Sequence, residues 1–294
     1  MYSPFPVTEK LLCYFATALA KDGLSPQTIK SYLSAVRSMQ ISLGLPPPRD
    51  QSSLPLLKRV LDGIRTSKPL EGKPPRTRLP ITATVLRRIQ ASLVAEGNLE
   101  DLAYWAVATT AFFGFFRLGE LLVETETSYN PALHLSWGDV AVNDRSSATM
   151  VKLHLKKSKC DQFGTGADVH LGSSGCQLCP VAAILAYIIA RGDRPGPFFI
   201  NEKRAPVTKS SFVSRVRTAL RAAGYAEDQF AGHSFRIGNA TTAALAGIED
   251  SMIQTLGRWH SSAFLRYIRT PHDHLAAVTA VLAKAIPQEG QTEQ

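Results

Sequence analysis

The stretch Ala111-Phe-Phe-Gly-Phe-Phe-Arg117-Leu-Gly-Glu120-Leu-Leu122 constrains this chain more than any other. A run so apolar is buried in any stable fold, yet it carries a guanidinium within it. A buried cation left unpaired is strongly destabilising, so the fold has to bring acceptors to Arg117. Glu120, three residues on, is the nearest carboxylate in sequence, and a structural ion pair between the two is one reading of the motif. The chain can supply the surrounding core: 294 residues, 45% of them hydrophobic, suffice for two domains of ordinary size.

The amino-terminal part reads as a small helical bundle. Leu11, Leu12, Phe15 and Leu19 mark a first helix. Ser25-Pro26 supplies an N-cap and a first-turn proline for a second, with Ile29, Tyr32, Leu33, Val36 and Met39 on one face and Lys30, Ser34 and Arg37 on the other. Leu56, Leu57, Val60, Leu61 and Ile64 mark a third. Residues 58 to 78 then hold seven basic side chains against Asp62 and Glu71, and Pro69, Pro74 and Pro75 work against regular structure. The expected organisation is a helical unit over 1–67, a basic proline-rich linker over 68–80 that includes Arg76 and Arg78, a second domain over 81–286, and a loose polar tail over 287–294.

Beyond Pro80, Thr82 is placed to cap a helix that turns Val85, Leu86, Ile89 and Leu93 inward. Residues 101 to 123 read as one long buried helical stretch containing Arg117 and Glu120. Ala148 to Leu155 alternates as a strand, Gly164-Thr-Gly166 offers a turn, and Asp168 to Leu171 returns, which predicts a β-hairpin with a lysine-rich tip. Helical signals resume over 180–190 and 208–223. In the latter, Phe212, Val213, Val216 and Leu220 face inward and leave Arg215, Arg217 and Arg221 toward solvent or a polyanion. After Pro271 the residues Leu275, Ala276, Val278, Val281, Leu282 and Ala285 give a short helix with an apolar face.

Charge and motif spacing indicate the chemistry. Lys plus Arg exceed Asp plus Glu by 33 to 24, a net charge of +9, which favours a polyanionic partner such as nucleic acid. His233-Ser-Phe-Arg236 puts an imidazole and a guanidinium on one helix face, and Tyr267 follows Arg236 by 31 residues within Leu256-Gly-Arg-Trp-His-Ser-Ser-Ala-Phe-Leu-Arg-Tyr267. Taken singly, H-x-x-R is an ordinary surface or capping pair and the tyrosine an ordinary core residue. No run of about 18 apolar residues marks a membrane span, and no signal peptide is evident. Four cysteines are too few and too scattered for a disulfide framework. Cys176-x-x-Cys179, with Cys160 and His170 nearby, lacks the second pair that a zinc site of this kind needs, so no metal is expected there.

In order, Arg117-x-x-Glu120, a lysine in a central hairpin, His233-x-x-Arg236, Leu256-Gly257 and Tyr267 resemble the catalytic domain of tyrosine recombinases, the phage-integrase class, with a flavour of eukaryotic mobile-element recombinases of the DIRS type. The segment Leu24-Ser-Pro-Gln-Thr-Ile-Lys-Ser-Tyr-Leu-Ser-Ala-Val-Arg37 resembles the core-binding domain of the same class. The resemblance implies a mainly α fold with a small β-hairpin or sheet. It also implies a two-domain DNA clamp made of a helical core-binding domain and an α+β catalytic domain. The implied partners are double-stranded DNA and further copies of the chain, dimer to tetramer, through the carboxy-terminal helix over 273–286. Residence would be nuclear in a eukaryote and cytoplasmic in a bacterium.

Transesterification at a DNA phosphate needs a nucleophile, cations on the non-bridging oxygens and a proton donor for the departing 5′ oxygen. Tyr267 fits the first role, giving a 3′-phosphotyrosine. Arg117 and Arg236 fit the second, because guanidinium grips phosphate bidentately. Lys159 fits the third, in competition with Lys156 and Lys157, while His233 orients the phosphate or accepts a proton. Glu120 supports His233 or the fold. Neither metal nor ATP nor another cofactor is called for. One position departs from the pattern: nine residues before Tyr267, where many relatives have His or Trp, stands Arg258, with Trp259 and His260 directly after. Lys30, Arg37, Arg76, Arg78, Arg215, Arg217 and Arg221 are the expected DNA-facing cations. A DNA-binding derivative without productive chemistry and a type IB topoisomerase are the alternatives.

Overall fold

Short polar side chains fix where the helices start. Thr8, Ser25, Thr82, Asn98 and Thr208 each accept a backbone N–H from the first turn they precede, at 2.9 to 3.3 Å. The computed structural model describes residues 5–46, 54–71, 78–158 and 164–285. It divides into two compact units, Met1–Arg76 and Thr77–Gln294.

The first unit holds α1 (Glu9–Lys21), α2 (Pro26–Ser42) and α3 (Pro55–Glu71) around Leu12, Ala16, Ile29, Leu33, Leu57 and Leu61. Glu9 Oε1 accepts from the Leu56 and Leu57 amides at 2.7 and 3.0 Å, placing a carboxylate at the positive end of α3. The sequence pattern put Tyr32 and Met39 on the inner face of α2, but they are 48% and 51% exposed. Gln40 takes the inner position at that turn instead. It is buried, accepting from the Val7 amide at 2.9 Å and donating to the Pro46 carbonyl. Leu11 and Leu56 also lie outside the core. The helix α3 extends to Glu71, past the expected linker start at 68. The rest of the basic linker up to 77, Arg76 included, and the tail over 287–294 lie outside the described residues.

The second unit is built on α5 (Leu99–Phe113), buried along most of its length and packed between α7 (Pro180–Arg191) and α9 (His233–Leu245), with α4 (Ala83–Leu93) and α8 (Lys209–Ala222) completing the core. Where α9 passes the chain before α4, a β-carbon on Gly238 would lie 1.8 Å from the Ile81 carbonyl oxygen, so the packing requires glycine. The expected hairpin is present as β2 (Met150–Leu155) and β3 (Ala167–Gly172), paired antiparallel with Leu153 opposite Val169. Val151, Leu153, Leu155 and Leu171 face the core. A third strand, β1 (Val140–Val142), adds to the free edge of β2. It is too short for alternation to reveal it.

The stretch 101–123 is not one helix. It breaks at Gly114, and Phe115 takes a left-handed conformation with φ 53°. A four-residue helix, α6 (Leu118–Leu121), restarts with Arg117 at its N-cap. The short α10 (Asp250–Leu256) then leads to the tyrosine segment, and α11 (His272–Ala285) follows. Every described side chain of α11 is exposed, including Leu275, Val278 and Val281.

Candidate active site

Three arginines converge on the loop that breaks after α5. Arg117 places its amide against Glu120 Oε2 at 2.9 Å and its Nη1 against Oε1 at 2.9 Å. Arg258 donates from Nη2 to the same Oε2 at 3.1 Å and from Nη1 to the Gly114 carbonyl at 3.1 Å, with its guanidinium 4.9 Å from the Phe116 ring centre. Arg236 donates from Nη1 to the Phe115 carbonyl and from Nη2 to that of Gly257, both at 2.5 Å. The embedded Arg117 thus receives the acceptor it demanded, a carboxylate only 5% exposed, while the backbone carbonyls freed by the helix break accept from Arg236 and Arg258. The pair of Arg117 and Glu120 is present, and Glu120 serves Arg258 as well.

An aromatic layer covers this cationic floor. Trp259 lies with its ring centre 4.2 Å from the Arg236 guanidinium and 5.3 Å from the Tyr267 ring. Tyr267 in turn has its ring centre 5.8 Å from that guanidinium and 5.9 Å from the His233 ring. Gly257 makes the fold-back possible, since a β-carbon there would lie 1.6 Å from the Trp259 ring. Phe115 meets Trp259 edge-on, and Ala240, Ile253 and Phe264 complete the cluster. Tyr267 follows a 3-10 turn, Ser262–Arg266, and its carbonyl accepts from Thr241 Oγ1 at 3.2 Å, which ties the tyrosine segment to α9.

Arg236 is the most enclosed of these groups, only 1% exposed. Burial, reinforced by the neighbouring Arg117 and Arg258 and opposed by Glu120 and Tyr267, pushes its guanidinium down to about 10. Its Nε and the indole Nε1 of Trp259 are both buried without a hydrogen-bond partner among the described residues. These are donors held in a low-dielectric layer with no acceptor of their own.

Of the residues expected from sequence, Arg117, Glu120, His233, Arg236, Arg258, Trp259 and Tyr267 gather in this one place. His260 does not; it is exposed. Lys159 lies outside the described residues. Of its two competitors, Lys156 donates to the Pro131 carbonyl at 2.7 Å and to Ser136 Oγ at 3.1 Å and pairs with Asp139, whereas Lys157 is exposed. Each cation of the expected DNA-facing row on α8 has a partner within its own domain. Arg215 pairs with Asp101 at 2.7 Å, Arg217 donates to the Phe230 carbonyl at 3.4 Å, and Arg221 pairs with Glu227 at 2.6 Å. A carboxylate at the start of α5 and the Phe230 carbonyl hold Arg215 and Arg217 half-buried, whereas Arg221 stays exposed beside its partner, and helical periodicity alone does not reveal such partners. Arg78 likewise donates to the Asp228 carbonyl at 2.6 Å. On α2, Lys30 is half-buried and Arg37 exposed. The backbone carbonyls of Gly114, Phe115 and Gly257 are the part of the site that sequence reasoning missed, because only the glycine punctuation hinted at a helix break.

No family model matches the chain. It is 25% identical over 271 residues to a curated integrase/recombinase XerD homolog of Selenomonas ruminantium, covering 90% of this chain and 74% of that protein. The fold is shared with the XerH site-specific recombinase, solved on a palindromic difH substrate as a post-cleavage complex, at TM-score 0.58 and 13% identity over 94% of this chain and 70% of that one. It is shared also with the Tn1549 transposon integrase, solved with circular intermediate DNA, at TM-score 0.55 and 15% identity over 95% of this chain and 86% of that one. The chain thus shares its fold with these recombinases and integrases and is similar in sequence to the XerD homolog along most of its length.

Proposed function

We propose that this protein is a site-specific DNA recombinase that cuts and rejoins strands through a 3′-phosphotyrosine. One observation carries the reading: Tyr267 lies over Arg236 and Trp259, beside His233, in a layer with unpartnered buried donors. Attack by the Tyr267 oxygen on a DNA phosphorus would form the phosphotyrosine bond and break the P–O5′ bond. Arg117 and Arg236 would neutralise the non-bridging oxygens, and a lysine of the hairpin tip, Lys159 by family resemblance, would return a proton to the 5′ oxygen. The bond energy is conserved in the ester, so a second 5′ hydroxyl can reverse the step without ATP.

The contacts of Arg258 support a different part from the one its sequence position suggests. Its Nη donors are directed at Glu120 and the Gly114 and Phe115 carbonyls, so it acts as a positioning residue for Arg117, while Trp259 Nε1 is the better-placed phosphate donor. The same inward Arg258 favours the second reading, a DNA-binding derivative that no longer cleaves. The exposed apolar positions of α11 suit docking on another copy of the chain in a DNA-bound dimer or tetramer. An element of mobile origin and nuclear residence remain part of the proposal, on the resemblance alone.

Nicked suicide substrates from a random or element-terminal pool test the reading on denaturing gels. A protein–DNA adduct that disappears in Tyr267→Phe is the expected result. DNA binding without an adduct across the pool favours the derivative, and neither binding nor adduct overturns both readings.

A further inference from the structure

Away from the tyrosine cluster, the connection from β3 to α7 brings two thiols to one place. Cys176-Gln-Leu-Cys179 forms a four-residue turn closed by the Cys179 amide donating to the Cys176 carbonyl at 2.9 Å. A turn of this kind holds its end Cα atoms within about 7 Å, and a disulfide bridges such a separation without large backbone movement. Ser174 touches both sulfurs, with its Oγ 3.1 Å from Cys176 Sγ and its backbone N–H donating to Cys179 Sγ at 3.4 Å.

The two thiols differ in a way that suits sequential reaction. Cys176 is exposed, whereas Cys179 is buried at the N-cap of α7. Its Sγ accepts from the Ala182 amide at 3.5 Å and lies 3.5 Å from Ser173 Oγ. Burial pushes the Cys179 thiol up, but the hydrogen bonds from Ser173, Ala182 and Ser174 outweigh it and bring the group down to about 6. An exposed thiol that can meet an external partner therefore stands one turn from a stabilised thiolate.

We infer that Cys176 and Cys179 form a redox-active dithiol, a modification site distinct from the tyrosine centre, whose reaction partner is a small soluble disulfide. The Cys176 sulfur, having lost its proton to solvent, attacks one sulfur of the partner. The partner's S–S bond breaks, and one thiolate leaves and takes up a proton. The Cys179 thiolate then attacks the Cys176 sulfur, breaks the mixed disulfide and releases the second thiolate. The protein loses two electrons and the partner is reduced to two thiols.

The test incubates the full chain with glutathione disulfide at neutral pH, alkylates remaining thiols, and maps all four cysteines by mass after digestion. The expected product joins Cys176 to Cys179 and carries no glutathione. In Cys179→Ser, glutathione should stay trapped on Cys176. In Cys176→Ser, the buried Cys179 should react at least about tenfold more slowly than Cys176 does. Two free thiols at 176 and 179, a lasting glutathione adduct on Cys176 of the unaltered chain, or a bond from either residue to Cys13 or Cys160 would each overturn the inference.

Discussion

Glu120→Gln isolates what holds the arginine floor together. The substitution keeps shape and removes one negative charge from a group 5% exposed that accepts three bonds, from the Arg117 amide, Arg117 Nη1 and Arg258 Nη2. An amide offers one oxygen, so at least one guanidinium then faces an NH2 group. Hydrogen bonds to charged partners contribute about 1.5–3 kcal/mol each, and breaking a buried ion pair from one side costs about 3–5 kcal/mol. Arg117 and Arg258 remain 19% and 17% exposed, which lets water recover part of the loss. The lower end of that range applies, about 3 kcal/mol. Urea unfolding followed by tryptophan fluorescence reads it directly, because Trp105, Trp137 and Trp259 all belong to the second unit. A loss below about 1 kcal/mol, the scale of a solvent-screened pair, would refute the argument that Glu120 neutralises this floor.

Gly238→Ala should cost about 2 kcal/mol or more, at the upper part of the overpacking range, because its new methyl group meets the Ile81 carbonyl; an unchanged unfolding midpoint would contradict the packing of α9 on that backbone. Cys179 gives a pH signature. With its thiol held at about 6 against an ordinary 9, it is ionised in the folded chain and protonated in the unfolded chain between those values. Its contribution is therefore complete above about 9 and lost as pH falls through about 6, so the stability gap between the unaltered chain and Cys179→Ser widens over that window. A gap that stays flat with pH would count against the thiolate. Finally, Arg258→Lys should weaken the floor although charge is kept, since an ammonium cannot span the Glu120 carboxylate and the Gly114 and Phe115 carbonyls together. Full adduct yield by the lysine variant would show that Arg258 positions nothing.

Much of the fold was legible because its signals are local. Hydroxyl caps at Thr82 and Thr208, the inward row Val85, Leu86, Ile89 and Leu93, and the alternation through Leu153 each report on a few adjacent residues, and each matches the structure. Arg117 was legible because a charged group in apolar surroundings is costly and therefore informative, whereas His233, Arg236 and Tyr267 were legible only through the order of the motifs and the resemblance it carries. What was not legible depends on distant partners. Gln40 replaces Met39 inside because Val7 and Pro46 meet it, and Arg215 turns inward because Asp101 lies 2.7 Å away. The break at Gly114 hid inside a run whose hydrophobicity reads as continuous helix.

The enclosure of Arg236 also changes what a salt titration of DNA affinity would measure. Salt weakens binding to DNA because cations condensed on the phosphates are released when protein charges replace them. On the proposed reading, a guanidinium only 1% exposed takes no part in that exchange at first encounter, so the slope counts surface groups such as Arg37 and passes over Arg236. Its engagement depends instead on the aromatic layer packed against it, Trp259 at 4.2 Å and Tyr267 at 5.8 Å, contacts nearly indifferent to ionic strength. Encounter and commitment would thus answer to different variables, salt for the first and the aromatic layer for the second.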